Sequence, residues 1–547
     1  MITRWYRTGV IYSVDVGLFQ DSNQDGTGDF QGLIARLDYL ARLGITTLWL
    51  HPIYPSPRRD GGYDISDYFG VHPRLGEMGD FEVLVHEAGE RGIRVMLDLV
   101  VNHTSDEHPW FQSARSDPDS PYRDWYVWSE TEPPDRFEGM VFPGVESETW
   151  TWDEAAHAWY RHRFYHFEPD LNTDNPAVRE EIQKIAMFWL GLGVSGFRVD
   201  AAPFLIEPKT RRGGGPDFSF LRDLREALSW KRGDSVMLAE ANVSDDQLQE
   251  YFGQADGTAT RVLMVFAFRL NQALMLSLAR KDRGPVAATL RELPDLPRHG
   301  QWATFLRNHD EIDLGRLTEQ ERQEVFSEFA PDPDMRLYGR GVRRRLGPML
   351  GGDRRRIELA YSLQLSMPGT PVLRYGEEIG MGDRLDLPER EAIRTPMQWE
   401  GTLGAGFSRA DLAKFVAPPV DHGPYSYQRV NVTDERLDPN SLLTWFERTL
   451  HARRECEEIG TGQHEILNVG PGHVLVHRAA DRGGRVLFIH NLADRPCRLR
   501  LGAEHDQEQP PLNFVADSDY GTKVDLDDIH VAGYGYRWIR LRRTIGG

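Results

Sequence analysis

The sequence contains few cysteines, no long apolar run and no excess of positive charge. Its 547 residues include two cysteines, Cys456 and Cys497, too few for a disulfide framework and without the spacing of a zinc site. No stretch stays apolar for the ~18 residues that a membrane helix needs, and residues 1–7 lack the apolar core of a secretory signal. We therefore expect a cytoplasmic protein without a membrane partner.

Positive charge is scarce relative to negative charge. The chain has 64 Lys and Arg against 84 Asp and Glu, which gives a formal net charge of −20. One basic cluster stands out, at residues 343–345 and 354–356, in a chain that is acidic as a whole. This balance argues against nucleic acid as the principal partner.

Short apolar runs alternate with segments of helical period over the first ~380 residues. The runs are Val10–Val16, Thr46–His51, Arg94–Val101, Gly196–Ala201, Ser235–Ala241, Leu263–Phe268, Ala303–Asn308 and Pro371–Tyr375. Eight buried strands separated by helices predict a closed parallel (β/α)8 barrel of the TIM type rather than a sandwich. The alternative of an open, doubly wound sheet is weakened because no G-x-G-x-x-G follows the first strand.

Two segments interrupt or follow this alternation. Residues 104–170 are rich in aromatics and loops and come directly after the third predicted strand, which places them at the C-terminal mouth of a barrel. Beyond residue 460, short apolar runs alternate with turns, as in a small antiparallel β domain. We therefore predict a barrel over residues 1–103 and 171–460, an inserted B domain over 104–170, and a C-terminal β domain over 461–547.

Polar and titratable residues lie at the C-terminal ends of four predicted strands. They are Asp98, Asn102 and His103 at the third strand, Arg198 and Asp200 at the fourth, Glu240 at the fifth, and His309 and Asp310 at the seventh. A barrel brings these ends around one pocket, and burying an isolated carboxylate is costly. Convergence from four strands therefore predicts a functional site.

The motifs that carry these residues resemble the four main regions of glycoside hydrolase family 13, the α-amylase family. They read DLVVNH at residues 98–103, GFRVD at 196–200, LAEAN at 238–242 and NHD at 308–310. The segment RTPMQW at residues 394–399 is similar to the branch that acts on short α-glucosides. Within that branch, residues 201–205, 305–311 and 343–346 resemble the trehalose synthase-like enzymes most closely.

The sequence departs from that branch at three places. The loop after Leu205 differs, Glu168 stands where Gln is usual before Pro-Asp-Leu-Asn, and Arg374 stands where Tyr is usual before Tyr375. All three lie near the region that would handle an acceptor. They bear on the isomerase assignment and leave the glucosyl-transfer residues intact.

The resemblance implies a retaining mechanism with two carboxyl groups ~5–5.5 Å apart. It makes Asp200 the nucleophile and Glu240 the general acid and then base, with a raised pKa in the loaded site. Arg198, two residues before Asp200 on the same strand face, would keep that nucleophile ionised. Asp310 would bind the sugar 2-OH and 3-OH and complete the catalytic set.

The resemblance also implies a pocket that admits one glucose at its closed end. His103 and His309 would contact hydroxyl groups, and Tyr63 would stack beneath the ring. Asp64 and Arg394 would clamp the non-reducing end. Such a pocket makes the enzyme exo-acting.

Three functions remain open at this stage. The first is interconversion of maltose and trehalose through a covalent glucosyl-enzyme, with some hydrolysis. The second is an exo-acting α-glucosidase or transglucosylase on maltose, sucrose or related α-glucosides, and the third is a non-catalytic binding subunit. The resemblance implies small α-glucosides as partners, homo-oligomerisation supported by the C-terminal β domain, and no organic cofactor.

An acidic loop near the N-terminus has oxygen-bearing side chains at alternating positions around a glycine. Such spacing suits a hard cation, and we expect structural Ca²⁺ with Asp21, Asn23, Asp25 and Asp29 as ligands and Thr27 offering its carbonyl. The twelfth position is Gly32 rather than Glu, which distinguishes the loop from an EF-hand. A solvated acidic turn is the alternative interpretation.

Overall fold

A computed structural model describes residues 4–210, 214–253, 260–481, 484–501, 512–516 and 524–541 of the chain. For residues 512–516 it describes the backbone alone. Over these ranges, none of the helices combines the length and the apolar character that crossing a bilayer requires.

Eight parallel strands close into a barrel, which confirms the predicted fold class. The strands are Ile11–Val14, Thr47–Leu50, Arg94–Leu99, Gly196–Val199, Val236–Ala239, Met264–Phe266, Gln301–Thr304 and Thr370–Arg374. The first strand pairs with both the second and the eighth. Large side chains such as Trp49, Met96 and Phe266 fill the interior, so the barrel is a packed core.

Helices cover the outside of the barrel, and two of them test the sequence patterns. Asn175 begins one helix by accepting a hydrogen bond from the Ala177 N–H, with Pro176 as the first helical residue, as predicted. The first predicted helix is divided at Arg36, whose φ of −105° and ψ of 2° are not helical. The Arg36 guanidinium donates to Gln20 and lies 4.0 Å above the Trp399 ring. The α-helices are Phe30–Ala35, Leu37–Leu43, Met78–Glu90, Pro109–Ser116, Pro176–Gly191, Ala202–Ile206, Ser219–Lys231, Asp245–Phe252, Phe268–Arg280, Gly284–Glu292, Glu319–Phe329, Leu346–Met349, Arg354–Ser366, Val432–Leu437, Leu442–Arg454 and Glu457–Thr461.

The segment between the third and fourth barrel strands carries an antiparallel sheet of its own. Its strands are Trp128–Ser129, Trp150–Asp153 and Ala158–Arg161, with the last in the middle. A β-bridge between His103 and Asp170 closes the base of the segment. The chain therefore leaves and re-enters the barrel at the mouth. A second small sheet, of Ile312–Asp313, Arg336–Leu337 and Gly341–Val342, follows the seventh barrel strand.

Two antiparallel sheets follow the last helix, as predicted for this part of the chain. The larger has the order Gln463–Ile466, Val474–Ala480, Arg485–Asn491, Tyr536–Leu541 and Leu512–Ala516, and the smaller joins Cys497–Leu499 to Ile529–Val531. Trp538 donates to Ser362 at 2.9 Å, which attaches the larger sheet to an outer helix of the barrel. The exact residue boundaries of the three domains stay a prediction.

Candidate active site

The centre of the site is a buried arginine that contacts three carboxylates. Arg198 lies on the fourth barrel strand and is 1% exposed. Its Nη1 donates to Asp98 at 2.6 Å and also to Asp200, and its Nη2 lies 2.7 Å from Glu240. Because one guanidinium reaches carboxylates from three strands, it gathers their oxygens around one point.

The backbone after Asp200 is strained, and the strain helps to position Glu240. Ala201 has a φ of 46°, in the left-handed region that residues other than glycine seldom adopt. The Ala201 N–H donates to Glu240 Oε2 at 3.0 Å. The turn therefore gives Glu240 a second donor beside Arg198, and strain of this kind is typical of functional sites.

Burial is the main influence on the pKa values of Asp98 and Asp200. Burial raises the pKa of Asp98 to about 6, although contact with Arg198 opposes the shift. Burial also raises the pKa of Asp200, and repulsion from Glu240 and Asp98 adds to it, while Arg198 again opposes. The side chains of Asp200 and Glu240 are partly exposed and that of Asp98 is enclosed, so the first two can meet a ligand.

Asp310 follows the seventh strand and is surrounded by donors. Its Oδ1 accepts from Arg390 at 2.7 Å and from Arg394 at 3.0 Å, and its Oδ2 lies 3.0 Å from His309 Nε2. Burial alone would raise the pKa of Asp310, but these three neighbours hold it well below its usual range. Asp310 is therefore an ionised acceptor.

Tyr63 and His309 form one wall of the pocket. Their rings are stacked, with centroids 5.3 Å apart and planes at 4°. The Tyr63 hydroxyl lies 2.8 Å from His309 Nε2 and donates to Asp98 at 3.2 Å. Burial lowers the pKa of His309 to about 4. A flat ring with a polar edge is suited to packing against a sugar.

His103 faces Glu168, which comes from the inserted segment. His103 Nε2 and Glu168 Oε1 are buried 3.8 Å apart, and among the described residues neither atom has a hydrogen-bond partner. Burial lowers the pKa of His103 to about 4 and raises that of Glu168 well above its ordinary value. One hydroxyl group between the two atoms would satisfy both.

Asp64 and Arg394, which are predicted to bind the non-reducing end of the sugar, have separate partners in the structure. The buried Asp64 carboxylate accepts from the Ser56 hydroxyl at 2.7 Å and from the Arg59 backbone N–H at 3.0 Å. Arg394 contacts Asp310 and the carbonyl of His309 instead. Asp64 therefore orders its own loop, and Arg394 faces the pocket with other partners.

Two residues that the sequence analysis did not select complete the arginine side of the pocket. Asp60 Oδ1 accepts from Arg390 at 2.7 Å and lies 3.5 Å from Arg394 Nη1. The sequence could have indicated Asp60 and Arg390, because each lies close to a selected residue. Asp60 is in the same loop as Tyr63, and Arg390 stands four residues before Arg394. Their pairing joins positions 330 residues apart, which no local pattern shows.

The loop after Leu205, whose sequence differs from the family pattern, is attached to the site through a lysine. Lys209 is buried, and its Nζ donates to Asn102 at 2.9 Å and to Asp170 at 3.2 Å. Burial lowers the pKa of Lys209, and the nearby Asp170 opposes the shift. The loop is thereby tied both to the end of the third strand and to the end of the inserted segment.

The acidic loop turns its side chains towards backbone N–H groups. The carboxylates of Asp21, Asp25 and Asp29 accept such bonds at 2.6–3.0 Å, and Asn23 accepts one at 2.9 Å. Within the described ranges, no three His, Cys, Asp or Glu side chains converge as a metal site. The Thr27 hydroxyl oxygen is buried and has no hydrogen-bond partner there.

The family model for the alpha-amylase catalytic domain matches residues 16–329 and 342–462 of the chain. The match spans barrel strands two to eight, the inserted segment and every carboxylate around Arg198. The chain therefore belongs to the α-amylase family of glycoside hydrolases and transglucosylases.

Individual relatives show which members of the family this chain is similar to. A trehalose synthase of Thermus thermophilus is 46% identical over 94% of this chain, which spans 53% of that protein's length. A trehalose synthase of Pimelobacter sp. is 41% identical over 98% of this chain and 96% of its own. The solved α-amylase of H. orenii superposes with a TM-score of 0.79 at 28% identity, covering 98% of this chain and 99% of that one.

Proposed function

We propose that the protein interconverts maltose and trehalose through a covalent glucosyl-enzyme, with some hydrolysis. The observation that carries the proposal is the contact of buried Arg198 with Asp98, Asp200 and Glu240 at the mouth of an α-amylase-family barrel. Among the short α-glucosides, the similarity to proteins named trehalose synthases supports maltose and trehalose as the substrates.

In the first half of the reaction, the Asp200 carboxylate attacks C1 of the non-reducing glucose of maltose. The bond from C1 to the bridging oxygen breaks, and that oxygen takes the proton of Glu240, so that free glucose leaves. Arg198 and the Ala201 N–H hold Glu240 beside the bond that breaks. The products of this step are a glucosyl ester on Asp200 and one glucose.

In the second half, the retained glucose turns so that its 1-OH faces the ester. The Glu240 carboxylate takes the proton of that hydroxyl while the oxygen attacks C1 and Asp200 leaves, which forms trehalose. Two displacements at C1 restore the original α configuration. If water attacks instead, the product is glucose.

The geometry suggests how the first glucose is held. Tyr63 provides a flat surface beneath the ring, and Asp310 accepts from hydroxyl groups next to C1. Asp60 and Arg394 bind the far, non-reducing end, because their pairing lies at the arginine side of the pocket. His103, with the carboxyl group opposite it, takes a further hydroxyl.

Contacts across the mouth support retention of the leaving glucose. Tyr165 of the inserted segment donates to Glu389 at 2.9 Å and accepts from Arg390 at 3.2 Å. Tyr338 donates to the same Glu389 at 2.9 Å. A mouth bridged in this way excludes water and slows escape of glucose, and both effects favour isomerisation over hydrolysis.

The experiment that tests the proposal is product analysis. The enzyme is incubated separately with maltose, sucrose and trehalose, and every product is assigned by NMR. Trehalose from maltose with little free glucose is expected. Glucose alone would replace the proposal with an exo-acting α-glucosidase, and trisaccharides or glucosides of added alcohols would replace it with a transglucosylase.

We also propose that the loop from Asp21 to Asp29 holds a structural Ca²⁺. Its donors are all oxygens, and the unpartnered Thr27 hydroxyl marks a buried place where a cation or water would be bound. The ion would stabilise the loop and take no part in the reaction. Near-stoichiometric calcium after chelation and repletion, with a raised Tm that Asp25→Ala loses, is expected; metal-free protein with unchanged Tm would contradict the proposal.

Location and assembly belong to the same set of proposals. A cytoplasmic enzyme that meets small α-glucosides needs no partner protein for the chemistry, since each residue used above comes from one chain. Self-association through the C-terminal sheets can be tested by sedimentation velocity at several concentrations. A single monomer species throughout would contradict it.

A further inference from the structure

Three arginines close to the C-terminal ends of the seventh and eighth barrel strands are buried without a carboxylate partner in the described part of the chain. Arg307, Arg345 and Arg374 are each at most 2% exposed. In the described part of the chain, no carboxylate oxygen lies within 4.0 Å of their side-chain nitrogens. Buried arginines are ordinarily paired, since an uncompensated charge in the interior is costly.

The hydrogen bonds of these arginines are also incomplete. All three side-chain nitrogens of Arg307 are buried, and within the described ranges none has a partner. Arg374 uses only Nη1, which donates to the Asn308 carbonyl at 3.0 Å, and Arg345 donates to the carbonyls of Tyr375 and Ile393. A guanidinium with five unmet N–H groups indicates a missing acceptor.

The surrounding chain does not neutralise this charge. Burial lowers the pKa of Arg307 to about 9 and that of Arg374 to about 10, and repulsion among the arginines adds to both shifts. Glu377 partly opposes the shift of Arg307, but its oxygens already accept from the Tyr361 hydroxyl and from a backbone N–H, each at 2.8 Å. Burial raises the pKa of Glu377 to about 7.

A small cavity adjoins the arginines. Arg307, Arg345, Tyr361 and Glu377 line it together with the apolar side chain of Met381. The centre of a water-sized sphere has about 10 Å³ of space within the cavity, which is enough for one water molecule or one small ion. A monatomic anion fits such a space.

We propose that this cavity binds one chloride-sized halide anion, held by Arg307 and Arg345. Arg307 directly precedes Asn308, and the anion would supply the acceptor that its guanidinium lacks. Arg345 binds the carbonyl of Ile393, the neighbour of Arg394. The anion therefore braces the two segments that deliver Asp310 and Arg394 to the pocket, from a place separate from the sugar site.

The first test measures the Tm of the whole enzyme after exhaustive dialysis into gluconate. Chloride is then titrated at constant ionic strength, and a saturable rise in Tm of about 2 °C or more is expected. Arg307→Gln should abolish the rise, and the matched surface variant Arg222→Gln should retain it. No response of the native enzyme, or an equal response in Arg307→Gln, would overturn the proposal.

The second test uses the unaltered enzyme, so it does not depend on the folding of a variant. Crystals are soaked in bromide, and an anomalous peak is expected in the cavity between Arg307 and Arg345. An ordered water there without an anomalous peak would overturn the proposal. So would a Glu377 carboxylate that has moved into direct contact with Arg307.

Discussion

Arg198 and Arg307 are equally buried, but their surroundings have opposite charge. Arg198 contacts three carboxylates, whereas no carboxylate oxygen of the described chain lies within 4.0 Å of Arg307. At Arg198, one cation holds several carboxylates together, and the protonation states of these carboxylates affect the reaction. At Arg307, positive charge is in excess, and a bound anion would compensate it. Burial alone therefore says little about the role of an arginine, and its partners decide that role.

The strongest way to break the comparison is to remove one acid from Arg198. Asp200→Ala should lower kcat on maltose by about 10⁴-fold or more, because the glucosyl ester can no longer form. Asp246→Ala, which removes an exposed carboxylate, is the control and should leave kcat unchanged. Full turnover in Asp200→Ala would refute the catalytic assignment.

Removing each arginine in turn sharpens the comparison. Arg198→Met should lower the free energy of unfolding by about 3–5 kcal/mol, because three carboxylates lose their counter-charge. Arg307→Met should lower it by clearly less in chloride-free buffer, where no carboxylate loses a partner. Urea unfolding followed by tryptophan fluorescence measures both, and equal losses would show that the two surroundings do not differ as described.

The acids around Arg198 should also set the pH dependence. Because burial raises the pKa of Asp98 to about 6 and also raises that of Asp200, these groups protonate at higher pH than exposed aspartates. A protonated Asp200 cannot attack, so kcat/KM should fall on the acid side at a higher pH than the ordinary aspartate pKa would give. Asp98→Asn should shift this acid limb, and undiminished kcat/KM at pH 4 would contradict the expectation.

The smallest expected effect concerns Glu168, a buried acid without an arginine. Its folded-state pKa is raised by burial, so its contribution to stability is present at low pH and is lost as the pH rises above the ordinary Glu value. Glu168→Gln should therefore raise the Tm at pH 8 by a few degrees and leave it unchanged at pH 4. A parallel shift at both pH values would mean that ionisation of Glu168 is not the cause.

Elements with a strong local pattern were predictable. The alternation of apolar runs and helices indicated all eight barrel strands, and Asn175 with Pro176 marked the start of a helix correctly. The seventh strand ends at Thr304 rather than Asn308, and the first helix divides at Arg36. Arg36, where the helix divides, contacts Trp399 from a distant part of the chain, and no periodicity contains such a contact.

The sequence predicted which residues belong to the candidate site better than it predicted which of them contact each other. Asp200, Glu240 and Asp310 were selected from their motifs, and the structure brings all three to the barrel mouth. Asp64 was selected together with Arg394 for the non-reducing end of the sugar, and the structure adds Asp60, which lies 3.5 Å from Arg394. Two aspartates of one loop have the same chemistry, and only the path of the backbone decides which of them reaches the arginine.

The sequence by itself determined the barrel, the family and the acids at the strand ends, because these depend on local periodicity and on short motifs. The tertiary structure alone decided which charges meet. Arg390 reaches Asp60 across 330 residues, Glu168 faces His103, and Arg307 lies beside a cavity without an acid to pair with. Electrostatic energy depends on distance and burial in space, and neither can be read from positions along a chain.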